Sequence, residues 1–150
     1  MPTPVREAAL AAIAARLQAQ MPDVALDRAR RSTVDTDVEP LPRMILRGEG
    51  IDADDTQEPG RTHYQIGFTV LAISRAGSDL ALEQALSVLH ARIAAALAGW
   101  VPNILNLGDV AEQGAEFVLY DAEDSAKPAG ECAARFSILA VTPTGDPNIP

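Results

Sequence analysis

The sequence predicts an α+β fold: a mostly antiparallel sheet of four to five strands with two main helices on one face, in the order α-β-β-β-α-β-β. Three observations predict it. Two apolar stripes recur at helical spacing, one long segment alternates at strand spacing, and most links between strands have hairpin length, which favours antiparallel neighbours. At 150 residues, 47% hydrophobic and 22% charged, the chain fits one domain over 1–150, with 1–3 and 144–150 expected as flexible ends. Aromatic residues make up only 4%, so Leu, Ile, Val and Ala must build the core.

Thr3-Pro4 predicts a helix start, with Thr3 as cap and Pro4 in the first turn, where its missing N–H costs nothing. Leu10, Ile13, Ala14, Leu17 and Met21 then form one stripe, and Pro22 stops a helix over 4–20. Residues 24–31 alternate as a strand whose first part is buried, and 32–41 are acidic and irregular. A short strand over 42–47 precedes a loop over 48–61, too acidic and too poor in apolar residues to pack. On that reading, residues 51–59 can be deleted without loss of the fold.

Residues 62–73 give the clearest strand, with Tyr64, Ile66, Phe68 and Val70 on one face and Leu71 and Ile73 on the other. Ser78 and Asp79 supply capping oxygens for a second helix over 79–98, striped by Leu82, Leu86, Leu89, Ile93 and Leu97 and ended by Gly99. Residues 104–110 read as a short strand or an extended loop. A strand over 116–120, a charged turn over 121–130 and a last strand over 131–142 follow. Strands 62–73 and 131–142 outrun their helix cover, which predicts exposed backbone groups that another chain can pair with. A bulge at Gly67 is the other reading of that length.

Twenty-one acids against twelve bases give a net charge of −9, which works against broad nucleic-acid binding. The imbalance lies in residues 76–150, whose bases are Arg92, Lys127 and Arg135 alone. The single cysteine, Cys132, excludes an intrachain disulfide and fits a reducing compartment. No signal peptide and no membrane-spanning stretch are expected.

No GxSxG, HExxH, P-loop or GxGxxG motif is present. His63 and His90 lack metal-ligand spacing and read as structural; Cys132 reads as a small buried thiol. Asp52, Asp54 and Asp55 resemble part of a calcium loop but lack the DxDxDG run and its closing glutamate, so no metal or cofactor is expected. Arg28, Arg30 and Arg31 form the one basic cluster and are expected to pair with acids on this chain or a neighbour. With Asp52, Asp54, Asp55 and Glu58, they are the expected partner-interface residues. Trp100 reads equally as a core plug or an interface anchor.

The order of these elements, the Leu41-Pro42 before the second strand and the closing Gly145-Asp146-Pro147 resemble the tail terminator proteins of long-tailed bacteriophages and prophages, the minor tail proteins of lambda U type. The resemblance implies a ring, usually a hexamer, that caps the head-proximal end of the tail tube, stops its polymerisation and meets the head's neck. It implies no catalysis or cofactor. The implied partners are further copies of the chain, a tail tube protein and a head–neck connector, with no membrane and no sequence-specific nucleic acid. The setting would be a virion tail assembled in a bacterial host's cytoplasm. Related neck and tail-completion proteins share this character. Two other classes stay open on the residues alone: a small-molecule enzyme or binder using Cys132, His63 and Arg135 in a cleft, and an acidic mimic of nucleic acid.

Overall fold

A computed structural model describes residues 2–120 and 127–149. The charged turn expected over 121–130 lies largely outside these residues. The chain runs β1 (Thr3–Pro4), α1 (Val5–Gln20), β2 (Ala25–Arg28), β3 (Arg43–Asp54), β4 (Arg61–Arg75), α2 (Asp79–Leu97), β5 (Leu107–Leu119), β6 (Ala129–Pro143) and β7 (Asn148–Ile149). Five strands form one sheet in the order β2-β3-β4-β6-β5, and β1 and β7 form a two-stranded ribbon. The fold is α+β with a mostly antiparallel sheet, as the sequence predicts. Only β2, which pairs parallel with β3, breaks the antiparallel rule.

Both helical stripes are buried. Leu10, Ile13, Ala14 and Leu17 of α1 and Leu82, Leu86, Leu89, Ile93 and Leu97 of α2 share one core with Ile66, Phe68, Val70, Phe136 and Ile138 from the sheet. The Phe68 and Phe136 rings stack at 5.5 Å between centroids and are the two aromatic side chains buried in this core among the described residues. By length and composition α2 could cross a membrane, contrary to expectation, but its leucine stripe lies against the sheet. Ser78 caps α2 by accepting a hydrogen bond from the Ala81 N–H at 3.1 Å. The backbone leaves the helix through Gly99 at φ +75°, where a side chain would be strained.

Helix α1 starts differently from the prediction. Thr3 does not cap it; Pro4 holds the cap position without a side-chain bond. The chain's other end does part of that work, since the Val5 N–H donates to the Pro147 carbonyl at 2.8 Å. Thr3 and Pro4 pair with Ile149 and Asn148, and Ile149 is buried, where loose ends were expected.

Strand β2 is shorter than the predicted 24–31. Ala29 turns away at φ +55°, after its N–H meets the Leu46 carbonyl at 2.9 Å. The irregular segment that follows crosses the sheet face opposite the helices. There Val34 and Leu41 pack with Ile45, Leu71, Ile73, Tyr120 and Ala133 in a second, small core. The Leu41–Pro42 peptide bond is cis.

The loop expected over 48–61 is mostly strand. β3 continues to Asp54, with Ile51 to Asp54 paired against Ile66 to His63, leaving only 55–60 as the hairpin link. Backbone hydrogen bonding to β4 compensates for the scarcity of apolar side chains here. The extra residues Glu49 and Gly50 form a bulge on β3 opposite Gly67, so β4 itself stays unbroken. Excising 51–59 would thus remove paired strand as well as loop. The two pieces read at 104–110 and 116–120 are one strand, β5, whose register shifts twice beside Gly108 and Gly114.

The central strands β4 and β6, 15 residues each, pair along their whole length. At about 3.3 Å per residue they reach about 50 Å, against about 28 Å for the 19-residue α2. Their excess length does not leave them open, because each also has a second neighbour, β3 or β5. The open backbone edges lie elsewhere, along β3 beyond the end of β2 and along β5 past Val110, whose own outward N–H and C=O are bonded to the Trp100 carbonyl and the Gly99 N–H. Phe68→Ala is expected to cost about 3–5 kcal/mol in urea unfolding. Gly130→Ala should also destabilise, by about 1–3 kcal/mol, because a Cβ there would stand 2.6 Å from the Val118 carbonyl oxygen. Wild-type unfolding midpoints in both would show this account of the sheet to be wrong.

Candidate assembly surfaces

Where β2 stops, five arginines gather. Arg6 from α1, Arg28, Arg30 and Arg31 around the end of β2, and Arg47 from β3 line a cleft of about 510 Å³, with Glu7 and Leu10 beside them. Arg28 grips Glu7 through two bonds, Nη1 to Oε1 at 2.8 Å and Nη2 to Oε2 at 3.3 Å. The Arg28 bond holds the Glu7 carboxyl below its usual range. Arg30 makes the same two-pronged contact with Glu39, at 2.5 and 2.7 Å, and a third bond to Asp27 at 3.2 Å. That contact lowers Glu39 from 4.5 to about 2. Burial would raise Asp27, but bonds from Arg43 and Arg30 outweigh it and leave the carboxyl below its ordinary value.

Arg28 and Arg30 therefore pair within the chain's own N-terminal half rather than with its acidic C-terminal half. The other three cleft arginines have no carboxylate partner among the described residues. Arg6 donates to the Glu49 carbonyl at 3.1 Å, Arg47 to the Arg30 carbonyl at 3.3 Å, and Arg31 is exposed. Sequence reading found Arg28, Arg30 and Arg31 but not Arg6 or Arg47, which reach the cleft from distant chain positions. Gly48 admits Arg6, since a Cβ there would lie 2.2 Å from Arg6 Nη2.

The acidic residues Asp52, Asp54, Asp55 and Glu58 sit at the far end of β3 and its hairpin, apart from the arginines. Asp54 accepts bonds from the Thr56 hydroxyl at 2.6 Å, the Thr56 N–H at 2.9 Å and Gln57 at 3.0 Å. These lower its carboxyl to about 2. Asp54 thus shapes a turn. Glu58 lies 3.6 Å from His63 and 3.7 Å from Arg61, while Asp52 and Asp55 are exposed. Among the described residues no three His, Cys, Asp or Glu side chains gather as metal ligands.

The residues an enzymatic cleft would need are kept apart. Cys132 is wholly buried under the helices, and burial first, then Glu131, pushes its thiol up to about 11. Arg135, an odd number of residues along the same strand, points to the other sheet face. His63 pairs with Val141, while Arg135 pairs with Thr69, about 20 Å along β4. His90 lies edge-on to Phe117 at 5.7 Å and 3.4 Å from Glu112, bracing α2 against β5. Trp100 packs on the core under the Arg16 guanidinium, 5.3 Å from the ring centroid, and Arg16 donates to the Ala96 carbonyl at 2.9 Å. Trp100 is thereby part of the helix–helix junction.

The outer edge of β5 is the other open surface. Its Phe117, Val118 and Leu119 are 47, 48 and 45% exposed, a run of large apolar residues on an edge strand paired on one side only. The uncovered part of the sheet face forms a polar trough of about 490 Å³ around Gly67, lined by Glu49, Asp52, Gln65, Thr69, Gln113 and Arg135 among others.

Fold and surfaces together define an α+β domain whose sheet ends in two unlike edges, one basic at its step and one acidic and apolar. No family model matches the chain, and no curated protein matches it. Among solved structures it is similar to a chain from the virion of a native gene transfer agent particle, at 13% identity and a TM-score of 0.48, over 87% of this chain and 94% of that one.

Two outcomes check this description. Cys132 should resist alkylation at neutral pH in the folded protein and react only on unfolding, read by mass spectrometry; rapid native labelling would contradict its burial. Because Glu39 titrates lower in the folded chain than in the unfolded one, its contribution is present above pH 4.5 and lost as pH falls towards about 2. Glu39→Gln should therefore flatten acid unfolding in that window, followed by circular dichroism.

Proposed function

We propose that this chain is a structural protein of a phage-like virion tail, of tail-terminator type: a ring of like subunits, a hexamer in the first instance, that caps the tail tube and joins it to the head. The observation that carries the ring is the pair of unlike open edges on one sheet. Isolated globular proteins blunt such edges with lysine, proline or a covering element. Acids, two register shifts and the segment at Gly99-Trp100 guard the first part of β5. Its last residues, Phe117 to Leu119, carry no charge, proline or irregularity and show three apolar side chains in a row. A subunit whose two edges differ makes head-to-tail contacts, and these close into rings when the rotation allows. The tail setting rests on the resemblance carried by the element order, Leu41-Pro42 and Gly145-Asp146-Pro147.

On this reading the tube and the neck connector meet the ring's two rims, and the acidic hairpin around Asp52, Asp54, Asp55 and Glu58 is a rim contact. Arg28, Arg30 and Arg31 belong to the subunit boundary. A net charge of −9 keeps the ring from gripping DNA in its channel.

Sedimentation of the purified chain, alone and with preformed tail tubes, tests the proposal. A closed oligomer that halts tube growth is expected; a monomer that leaves tube growth untouched would defeat it. Deleting residues 55–59, outside every paired segment, should preserve folding and self-assembly but reduce tube or neck joining. Unimpaired joining by that deletion would remove the hairpin from the rim.

A further inference from the structure

We propose that the arginine cleft where β2 stops docks a short, extended acidic segment of a partner protein, whose carboxylates pair with Arg6 and Arg31. One copy suffices for this, whether or not the copies close into a ring.

The charges in the cleft do not balance. Five guanidinium groups line it against the one carboxylate of Glu7. Glu7 is held by Arg28, and Arg30 is held from outside the cleft by Glu39 and Asp27. Arg6, Arg31 and Arg47 are left without a carboxylate partner among the described residues, Arg6 and Arg47 donating to the Glu49 and Arg30 carbonyls. In a chain of net charge −9 such a concentration of unmatched positive charge runs against the whole. Groups of opposite charge relieve the repulsion between like ones.

The chemistry of the cleft suits carboxylates. A guanidinium group meets a carboxylate through two parallel N–H···O bonds. That contact already occurs twice at this place, Arg28 on Glu7 and Arg30 on Glu39. Leu10 and Leu46 make part of the lining apolar, and Gly48 adds no side chain to it. Ion pairs formed over such a floor are less screened than pairs on open surface.

Size selects the occupant. At about 510 Å³ the cleft falls in the range of about 300–1,000 Å³ that holds small ligands, room for a few residues of extended chain. Duplex DNA is too broad to enter, and none of the residues lining the cleft is aromatic, so no base can stack there. A second copy fits less well, because most of its carboxylates stand on strands backed by the sheet or on α2: Asp52 on β3, Asp109 and Glu112 on β5, Glu83 on α2. In the 55–60 link, Glu58 already lies beside Arg61 and His63.

Fluorescence anisotropy on the full chain at about 0.15 M salt tests this with a labelled synthetic peptide alternating Glu and Ala, its Gln–Ala counterpart and a labelled duplex DNA. The Glu peptide should bind at a single site, about tenfold or more tighter than the Gln peptide. Arg31→Glu and Arg6→Gln should each weaken it about tenfold, the loss of one charge-assisted contact, whereas Arg92→Gln, outside the cleft, should not. Equal binding of both peptides, or binding indifferent to Arg31 and Arg6, overturns the site. DNA held more tightly than the Glu peptide, and lost in Arg31→Glu, makes the cleft a phosphate site and refutes the acidic segment. Sedimentation separates the remaining occupant. If wild type assembles, Arg31→Glu does not, and the Glu peptide disperses the assembly, a second copy fills the cleft and the foreign partner is refuted. A chain that stays monomeric with and without tubes, yet binds the Glu peptide through Arg31, sinks the ring and upholds the docking site. Where Arg6→Gln fails to fold, wild-type amide shifts decide: those of residues 28–31 and 46–48 must move on adding the Glu peptide, and unmoved shifts there refute the contact.

Discussion

The β4–β6 ladder is the constraint on which the rest of the molecule depends. Its pairing runs from Arg61 opposite Pro143 to Arg75 opposite Ala129 without a break, and it places Phe68 directly across from Phe136. Every other strand is added to one side or the other of this pair, and α2 lies over it. Because neighbouring side chains alternate, the same ladder puts Ile66, Phe68, Val70, Cys132, Ala134, Phe136 and Ile138 under the helices, and Gln65, Thr69, Arg135 and Ser137 on the other face. An unbroken register is therefore what separates a dry core from an open polar face. A one-residue slip would exchange them.

The charges are sorted by the fold in a way their sequence distribution does not suggest. Arginines of the N-terminal half are used mostly at home: Arg28 on Glu7, Arg30 on Glu39, Arg43 on Asp27 and Arg75 on Asp37. Several of these contacts fasten the segment between β2 and β3 across the sheet, where Val34 and Leu41 close the small second core. Exposed ion pairs contribute little each, about 0–1 kcal/mol. Their role here is to place a chain segment that has few apolar residues of its own. Carboxylates of β5 are less occupied, which leaves that edge negative.

Much of this architecture was legible in the sequence, and what was not legible has identifiable causes. The α1 and α2 stripes are local patterns with a 3.6-residue period, and all their leucines and isoleucines are buried. β4 alternates cleanly and reads as a strand. The distal half of β3 reads as loop because Gly48-Glu49-Gly50 and its aspartates look like a turn, whereas backbone bonds to β4 decide its conformation. β5 reads as two pieces because Gly108 and Gly114 sit at register shifts that interrupt alternation. The parallel pairing of β2 is a non-local choice with no signature in its own residues. The arginine cleft shows the same limit: Arg28, Arg30 and Arg31 are adjacent in sequence, but Arg6 and Arg47 join them only once α1 and β3 are packed.

The small ribbon of β1 and β7 has a different consequence. It brings residues 3–4 and 148–149 side by side, with the Pro147 carbonyl anchored on the first turn of α1. Any peptide added before the one or after the other would leave the domain from a single point on its surface. A short linker joining the two could then replace the natural ends, allowing the polypeptide to be opened at the 55–60 hairpin link instead. In an assembly of many copies, all such extensions would emerge at one level, as a single collar of tails.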